Sequence, residues 1–200
     1  MEQFILASAS PRRRDILTEE GFTFTVIPAQ GEEITQETTP DRMVQDIAYQ
    51  KGLWVLENKE DVNTSWILAC DTLVFLGNTP LGKPENRAHA YQMLQELSGV
   101  RHKVISGIAL YNPHSKTWNC QSDCTKVSFK KLNSEDIENY LNSGEWTDAA
   151  GAYKIQGQGS ELIDSVVGSY SNIVGLPRDL LYGILSDDNF PIDKYRSIET

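Results

Sequence analysis

The sequence predicts an α/β protein with a mixed β-sheet flanked by helices. Short apolar runs typical of strands alternate along the chain with stretches whose apolar residues recur at helical spacing. The run from Trp66 to Leu76 is apolar on both faces, as expected of a central strand covered on both sides. With 200 residues, the chain is long enough for one compact domain with a substantial core or for two small lobes.

Cap and turn residues bound the predicted elements. Ser10 suits a helix N-cap, and Pro11 suits the first helical position because its fixed φ is already helical. The predicted strands span residues 4–8, 23–28, 66–76, 102–111 and 123–131. The predicted helices span residues 11–20, 40–57, 85–97, 134–142 and 177–185. Short strands and turns are expected over residues 152–174, and loops join the remaining elements.

Composition and charge exclude several classes of protein. A hydrophobic content of 40% and a charged content of 23% are ordinary for a globular chain. No apolar run reaches bilayer length, and the opening apolar stretch precedes its basic cluster, so we expect no membrane span, no signal peptide and a cytoplasmic location. The net charge of −10 argues against a nucleic-acid binder and repels free nucleotides at long range. A phosphate site would therefore depend on locally concentrated Arg and Lys, helped by a divalent cation.

The cysteines and histidines indicate no metal site of their own. The cysteines are Cys70, Cys120 and Cys124, and no second pair or nearby histidine completes a zinc-binding spacing. We interpret all three as reduced thiols. The three histidines are scattered along the chain, so a site built from histidine is not expected.

Three consecutive arginines occupy the first turn of the first predicted helix. Arg12, Arg13 and Arg14 follow Pro11, where exposed backbone N–H groups already carry partial positive charge. Because amides, helix dipole and guanidinium groups converge there, the pattern favours a bound anion such as a phosphate. The alternative is an ordinary basic surface helix, and this stretch alone leaves both open.

Lys51 lies within the apolar stripe of the helix that begins at Pro40. The stripe comprises Val44, Ile47, Ala48, Lys51 and Val55, at the spacing of a core-facing helix surface. The lysine either extends back to the solvent or reaches an internal polar site. Extension to solvent is the more common outcome for lysine and is favoured on this pattern alone.

Asp71 interrupts the long apolar strand. A buried carboxylate is costly unless it is paired, hydrogen-bonded or bound to a metal. Backbone N–H groups at a break in the strand would satisfy it structurally. We favour a functional role, because such a strand rarely contains a charge that the protein does not use.

Three weaker patterns complete the set. Lys83 lies at the tip of a Gly-Lys-Pro turn, Glu32-Glu33 follow a strand, and Gly157 and Gly159 flank Gln158. Each alone is typical of an exposed turn. Together with the arginines, Lys51 and Asp71, they match metal-assisted chemistry on a nucleoside triphosphate: carboxylates to hold Mg²⁺ and activate water, and cations to neutralise phosphate.

Several conspicuous segments occur in order over about residues 4–185. They are Leu6-Ala7-Ser8-Ala9-Ser10-Pro11-Arg12-Arg13, Glu32-Glu33, Ala48 to Lys51, Ala69-Cys70-Asp71-Thr72, Leu81-Gly82-Lys83-Pro84, Leu97-Ser98-Gly99 with His102 and Val104, Gly151-Ala152-Tyr153-Lys154-Ile155-Gln156-Gly157, and Gly168-Ser169-Tyr170-Ser171-Asn172-Ile173-Val174-Gly175-Leu176-Pro177. Taken together, they resemble the signature of the Maf family of nucleoside triphosphate pyrophosphatases.

The resemblance implies a Maf-like (ITPase-like) α/β fold with two lobes and a central cleft. It implies hydrolysis of a nucleoside triphosphate to the monophosphate and pyrophosphate with Mg²⁺ or Mn²⁺, and members are often dimeric, so we expect a homodimer. The charge and the lack of a long apolar run predict no stable nucleic-acid or membrane partner. We expect a single Maf-like domain at residues 1–186. The polar segment 187–200 lies outside the resemblance and is expected to be a mobile C-terminal tail.

The resemblance also assigns residues. Asp71 matches the family's catalytic acidic residue, taken as the general base, and Glu33, Lys51 and Lys83 match its other charged catalytic positions. Ser8, Arg12 and Arg13 match the phosphate-binding turn, to which we add Ser10 as a candidate. Our own hypothesis is that Glu33 and Asp71 hold the metal. Arg14 matches no position and is interpreted as a surface charge.

Three positions point to the branch of the family that acts on dTTP and UTP. They are Arg12, Thr72 and Gln156. A sister branch that prefers 7-methyl-GTP typically has glutamine after the aspartate, where this chain has Thr72. An amide such as that of Gln156 offers both an acceptor and donors, which suits the edge of uracil or thymine.

The hypothesis for the reaction is that Asp71 activates a water, which attacks the α-phosphorus while pyrophosphate leaves. Three alternatives remain open at this point: the 7-methyl-GTP specificity, a broader activity on modified nucleotides, and a nucleotide-binding regulator of cell division that has no turnover. The last is disfavoured because a pure binder has no need of Asp71 within a buried strand.

Overall fold

The structure, a computed structural model, describes residues 2–31 and 33–197. Its strands are β1 (Phe4–Leu6), β2 (Thr25–Val26), β3 (Trp66–Leu76), β4 (Thr79–Leu81), β5 (Arg101–Asn112), β6 (Thr117–Phe129) and β7 (Ile163–Val167). Its helices are α1 (Pro11–Glu19), α2 (Pro40–Asn58), α3 (Arg87–Leu97), α4 (Ser134–Asn142), α5 (Tyr170–Val174), α6 (Arg178–Asp187) and α7 (Ile192–Tyr195). Short 3₁₀ segments lie at Ala150–Ala152 and Gly157–Leu162.

The strands form one mixed sheet, which confirms the predicted α/β class. Over the described residues it has seven strands in the order β2-β1-β3-β5-β6-β7, with β4 also paired to β3. Strand β1 runs parallel to β2 and β3, and Ile5 lies opposite both Thr25 and Ile67. Strands β4 and β7 run antiparallel to β3 and β6. The parallel β1–β3 pair needs a long crossover connection, which contains α1 and α2.

The chain divides into two compact units, and β3, β5 and β6 each contribute residues to both. The first unit comprises Met1–Asp71, Ser106–Asp123 and Gly175–Thr200. The second comprises Thr72–Ile105 and Cys124–Val174. Asp71 is therefore the last residue of the first unit along β3.

One face of the sheet in the first unit packs against α2. Successive residues of a strand point to opposite faces, so Ile67 and Ala69 share a face of β3. Both are fully buried and pack in one cluster with Ala48 and Val55 of α2. The stripe predicted on α2 is thus its buried face, and by the same alternation Asp71 belongs to the face that α2 covers.

The opposite face of the same strands carries aromatic residues. The ring of Phe190 lies 4.8 Å from that of Phe4 and 5.1 Å from that of Trp66. Tyr195, in α7, completes this cluster at 5.3 Å from Phe190. Large rings of this kind contribute much of the free energy of burial in a small core.

Residues 187–197 do not form the mobile tail that the sequence predicts for 187–200. Phe190 and Tyr195 are only 6% and 7% exposed. The backbone N–H of Thr23 donates to the Tyr195 carbonyl at 2.6 Å, and that of Ser197 donates to the Gly21 carbonyl at 2.9 Å. Two buried aromatic rings outweigh the polar residues around them, so residues 187–197 belong to the first unit. Residues 198–200 of the predicted tail lie outside the described residues.

The core of the second unit lies between α3, α4 and the strands. Its buried residues include Met93, Leu94, Leu97, Val127, Phe129, Ile137 and Leu141. Helix α4 begins at Ser134, as predicted, and its N-cap is Asn133. The Asn133 side chain accepts from the Asp136 N–H at 2.9 Å while Asp136 accepts from the Asn133 N–H at 2.8 Å, a reciprocal capping box.

Several element boundaries differ from the predictions. Strand β6 begins at Thr117 instead of residue 123, because its polar first half is held by strand pairing and not by an apolar pattern. The short β4, which contains Pro80, was not predicted at all. Strands β1 and β2 are shorter than expected, whereas β3 has the predicted bounds, Trp66–Leu76.

Candidate active site

A lysine and two carboxylates form a compact charged cluster in the first unit. The Nζ of Lys51 lies 2.6 Å from Oδ1 of Asp71 and 2.7 Å from Oε1 of Glu33. The side chains of Lys51 and Asp71 are only 17% and 5% exposed, whereas that of Glu33 is 54% exposed. Extension of Lys51 to solvent, which the stripe alone favoured, is therefore wrong: the lysine reaches an internal polar site.

The secondary structure brings Lys51 and Asp71 together. Lys51 follows Ala48 by three residues and precedes Val55 by four, so all three lie on one face of α2. That face covers the β3 surface of Ile67 and Ala69, and the next residue on that surface is Asp71. The cation and the carboxylate thus occupy adjoining positions on two packed elements.

The two oxygens of Asp71 have different environments. Oδ1 accepts from Lys51, whereas Oδ2 is buried and has no hydrogen-bond partner among the described residues. Satisfaction by backbone N–H groups, the structural alternative for this carboxylate, is not found for Oδ2. An open acceptor on a buried carboxylate is costly in a folded chain and is typical of a functional site.

The turn between β1 and α1 is organised around Arg13. This residue is 8% exposed; its Nε donates to the Gly175 carbonyl and its Nη1 to Ser8 Oγ, both at 2.9 Å. Ser8 Oγ also accepts from the Ser10 N–H at 3.3 Å. Ser10 is the N-cap residue, as predicted, but its side chain makes no capping hydrogen bond. The hydroxyl of Ser8, and not that of Ser10, therefore organises the turn.

The neighbouring arginines differ in exposure. Arg12 is half-buried, whereas Arg14 is exposed and lies 3.8 Å from the exposed Asp15. A loose pair of this kind contributes little to stability. This geometry agrees with the interpretation of Arg14 as a surface charge.

The second unit contains the remaining predicted site residues. Thr72 is half-buried on β3, and Gln156 is exposed directly after the buried Ile155. Lys83 is exposed and forms an ion pair of 2.5 Å with Asp148. The predicted charged residues thus form three local groups, around Arg13, Lys51 and Lys83, and Glu32 of the predicted acidic pair lies outside the described residues.

A buried histidine supports the segment that carries Gln156. His102 is 1% exposed, and its Nε2 lies 2.8 Å from the hydroxyl of Tyr153. Burial lowers the pKa of His102 from 6.5 to about 4, so the ring is neutral near pH 7. Burial also raises the pKa of Tyr153, which therefore remains a neutral phenol. The pair forms a neutral hydrogen bond that fixes the start of the segment.

Residues that sequence reasoning missed also contact this set. The carbonyl of Gly175 holds Arg13, and the carboxylate of Asp148 holds Lys83. A backbone carbonyl leaves no signal in a side-chain pattern. Asp148 lies in a polar stretch where an acidic residue is unremarkable, so only the fold reveals its role.

The carboxylates offer oxygen ligands of the type that Mg²⁺ prefers. Within residues 2–31 and 33–197, no group of three or more His, Cys, Asp or Glu side chains is placed to hold a metal ion. A bound Mg²⁺ commonly takes only one or two protein carboxylates, together with waters and substrate phosphates. The carboxylates of Asp71 and Glu33, which both lie within 2.7 Å of Lys51 Nζ, supply oxygen ligands of the number and type that such a metal needs.

No helix in the described part of the chain is both long and apolar enough to cross a bilayer.

Curated relatives cover nearly the whole chain. A protein of Caldanaerobacter subterraneus subsp. tengcongensis is 40% identical over 92% of this chain and 87% of its own length. A protein of Clostridium perfringens is 40% identical over 94% and 98%, and one of Ruminiclostridium cellulolyticum is 39% identical over 97% and 100%. Each of the three is named dTTP/UTP pyrophosphatase.

A solved structure of a Vibrio cholerae protein shares 10% identity over 72% of this chain and 71% of its own, with a TM-score of 0.34, a likeness too weak to inform the assignment. The family comparison is decisive by contrast. The family described as Maf-like protein matches residues 3–187, nearly all of the described chain. Together with the relatives, this match confirms the predicted family: the chain belongs to the Maf family.

Proposed function

We propose that this chain is a nucleoside triphosphate pyrophosphatase that hydrolyses dTTP and UTP, and modified pyrimidine nucleotides of the same shape, to the monophosphate and pyrophosphate. The observation that carries the proposal is the buried Lys51–Asp71 pair with Glu33 beside it. The relatives named dTTP/UTP pyrophosphatase, which align with nearly the whole chain, support the choice of substrate.

Asp71 is the general base in this proposal. Its Oδ1 accepts from Lys51, which fixes the carboxylate, while Oδ2 has no hydrogen-bond partner among the described residues and is the acceptor that we assign to the attacking water. The proton of that water passes to Oδ2 as the water oxygen attacks the α-phosphorus. The bond from the α-phosphorus to the bridging oxygen breaks, and pyrophosphate leaves with the electron pair.

Four cations stabilise the charge that develops on the phosphates. We assign this role to Arg12, Arg13, Lys51 and Lys83. Ser8 and the Gly175 carbonyl hold the guanidinium of Arg13 in one orientation, so the group needs no reorganisation during the reaction. Ser10, in the same turn, contributes to phosphate binding in this proposal.

Mg²⁺ or Mn²⁺ is the cofactor in this proposal, and Asp71 and Glu33 would hold it. When bound, the ion would supply Lewis-acid stabilisation of the phosphate oxygens. Lys51 contacts both carboxylates and keeps them in place for this role.

Selection of the base is assigned to Arg12, Thr72 and Gln156. The amide of Gln156 can donate to O4 and accept from N3–H of uracil or thymine. Its exposed position after the buried Ile155 leaves the amide accessible to a ligand.

We further propose that the enzyme works in the cytoplasm as a homodimer, without stable nucleic-acid or membrane partners. The proposed substrates are made and used in the cytoplasm, and the net charge of −10 disfavours association with nucleic acid. Sedimentation equilibrium tests the dimer: a mass of about one chain, 22.5 kDa, at micromolar concentration would contradict it.

A substrate panel tests the proposed function. Pyrophosphate release is measured with Mg²⁺ or Mn²⁺ across dTTP, UTP, CTP, 7-methyl-GTP and modified pyrimidine triphosphates. We expect kcat/KM for dTTP and UTP to exceed that for 7-methyl-GTP by at least about tenfold, the equivalent of one well-placed hydrogen bond. A preference for 7-methyl-GTP would assign the sister specificity, and tight binding without turnover would assign a regulator.

A further inference from the structure

Residues 154–159 form a closed loop that displays Gln156. The Cα of Gly159 lies so close to the Lys154 carbonyl oxygen that a Cβ could not be accommodated there, so the two ends of the loop touch. Ser160 Oγ donates to the Gly157 carbonyl at 2.7 Å, and Ile155 is buried at 7% exposure. Gln156, between these anchors, is exposed.

The carboxylate of Glu145 closes one end of this loop. Its Oε1 accepts from the Gln158 N–H at 3.2 Å, and its Oε2 accepts from the Gly159 N–H at 3.3 Å. A Cβ on Gly157 would clash with the same carboxylate, and the φ of +79° at Gly157 also requires glycine. Two backbone N–H groups of the loop therefore share one carboxylate, and Glu145 attaches the loop at residues 158 and 159.

Glu145 is itself fixed to the end of α4. Its backbone N–H donates to Ser143 Oγ at 3.1 Å, and Ser143 Oγ donates to the Tyr140 carbonyl at 2.7 Å. The Tyr140 hydroxyl accepts from the Lys154 N–H at 3.1 Å. The α4 terminus therefore holds both ends of the loop, through Tyr140 at residue 154 and through Glu145 at residues 158 and 159.

A loop held at both ends has little conformational entropy left to lose when its side chain binds a ligand. An amide that must match the donor and acceptor of a base gains affinity when the backbone that carries it is already ordered. A loop released at residues 158 and 159 would have to order itself on each binding event, which weakens binding and leaves the chemical step unchanged.

We propose that Glu145 is a positioning residue for base recognition, which acts by holding the 154–159 loop so that Gln156 meets the edge of the pyrimidine. This inference rests on the proposed function and extends it to a residue outside the assigned site. The ligand class is the pyrimidine ring of a nucleoside triphosphate.

The test is a double-mutant cycle of Glu145→Ala and Gln156→Ala, assayed with UTP and CTP. These substrates share sugar and phosphates and differ at positions 3 and 4 of the ring. We expect Glu145→Ala to raise KM for UTP about tenfold with kcat within about twofold, and to lower the preference for UTP over CTP. In the Gln156→Ala background, the same change should have little further effect, because Glu145 acts through Gln156.

Two further variants serve as controls. Glu161→Ala removes an exposed carboxylate from the same 3₁₀ segment and should leave both parameters unchanged. Glu145→Gln retains one acceptor oxygen, and its KM should lie between those of the wild type and Glu145→Ala. Hydrogen exchange at the amides of Gln158 and Gly159 should accelerate in Glu145→Ala while the exchange in α4 stays slow.

The outcomes separate the two proposals. An active wild type with unchanged KM and UTP:CTP ratio in Glu145→Ala, or additive effects in the cycle, would overturn the role of Glu145 and leave the proposed function standing. A wild type that releases no pyrophosphate would overturn the proposed function. Calorimetric titration with UTP then decides the inference, since equal affinity in the wild type and Glu145→Ala would contradict it.

Discussion

Lys51 lies on the largely buried face of α2, where its ammonium group pairs with the carboxylates of Asp71 and Glu33. Each group alone would be expensive to bury, and together they offset much of that cost at a separation of 2.6 Å. Removing Lys51 therefore costs more than the pair contributes, because the Asp71 carboxylate remains buried and uncompensated.

Lys51→Met should destabilise the fold by about 3 kcal/mol, since it leaves the Asp71 carboxylate buried without its cation. Urea unfolding monitored by circular dichroism gives the free energy. Lys51→Met/Asp71→Asn should recover a substantial part of the loss, and Lys131→Met, at an exposed lysine, should change stability little. Equal losses in the single and double variants would show that the pair is not coupled.

Asp71→Asn should lower kcat by about 10³-fold or more, as expected when a general base that also anchors a metal is removed. The fold should persist, because Glu33 still pairs with Lys51 and asparagine has nearly the same shape as aspartate and can accept from Lys51. Turnover of dTTP and unfolding by urea are measured on the same sample. A folded variant with the wild-type rate would exclude Asp71 as the base.

At the scale of elements, the buried His102 makes the stability of the second unit depend on pH. Its pKa is lowered from 6.5 to about 4 by burial, so between these values the unfolded chain binds a proton that the folded chain excludes. With respect to His102, the folded state is therefore most stable above pH 6.5, and it loses stability as the pH falls towards 4. The loss reaches about 2 kcal/mol by pH 5 at 1.36 kcal/mol per pH unit.

His102→Gln should reduce this acid sensitivity, because glutamine does not titrate. Urea unfolding at pH 7, 6 and 5 gives the slope for the wild type and the variant, and their difference isolates His102 from the carboxylates. Parallel slopes for the two proteins would contradict the burial of a neutral imidazole.

The C-terminal segment should behave as part of the core of the first unit. Phe190→Ala should cost about 3–5 kcal/mol, as expected for removal of a buried ring packed on Phe4 and Trp66. Asp193→Ala, at an exposed position in α7, is the matched control. Thermal and urea unfolding give the stability of both variants. A Phe190→Ala protein as stable as the control would contradict the packing of this segment and support the mobile tail predicted from the sequence.

Elements with a strong internal pattern could be predicted from the sequence. Strand β3 and helix α4 have the expected bounds because apolar runs and cap residues mark them locally. The start of β6 and the short β4 depend on pairing with neighbouring strands, which local patterns do not encode. Helix α7 was missed because only Phe190 and Tyr195, five positions apart, report its burial.

At the scale of the whole molecule, charged residues out of place in apolar patterns revealed much of the candidate site. Asp71 in β3 and Lys51 in α2 are conspicuous for this reason, and the structure pairs them. The direction of Lys51 could not be predicted, because it depends on how α2 packs on the sheet. Glu145, Asp148 and the Gly175 carbonyl lie in polar or backbone contexts that become informative only in the fold.

The central claim is that the enzyme cleaves between the α- and β-phosphates of a pyrimidine nucleoside triphosphate. Hydrolysis of dTTP in ¹⁸O-labelled water, followed by mass spectrometry of both products, tests it most directly. We predict one ¹⁸O atom in the nucleoside monophosphate, unlabelled pyrophosphate, and no product above background with Asp71→Asn. Label in pyrophosphate, or release of orthophosphate with a nucleoside diphosphate, would contradict the claim.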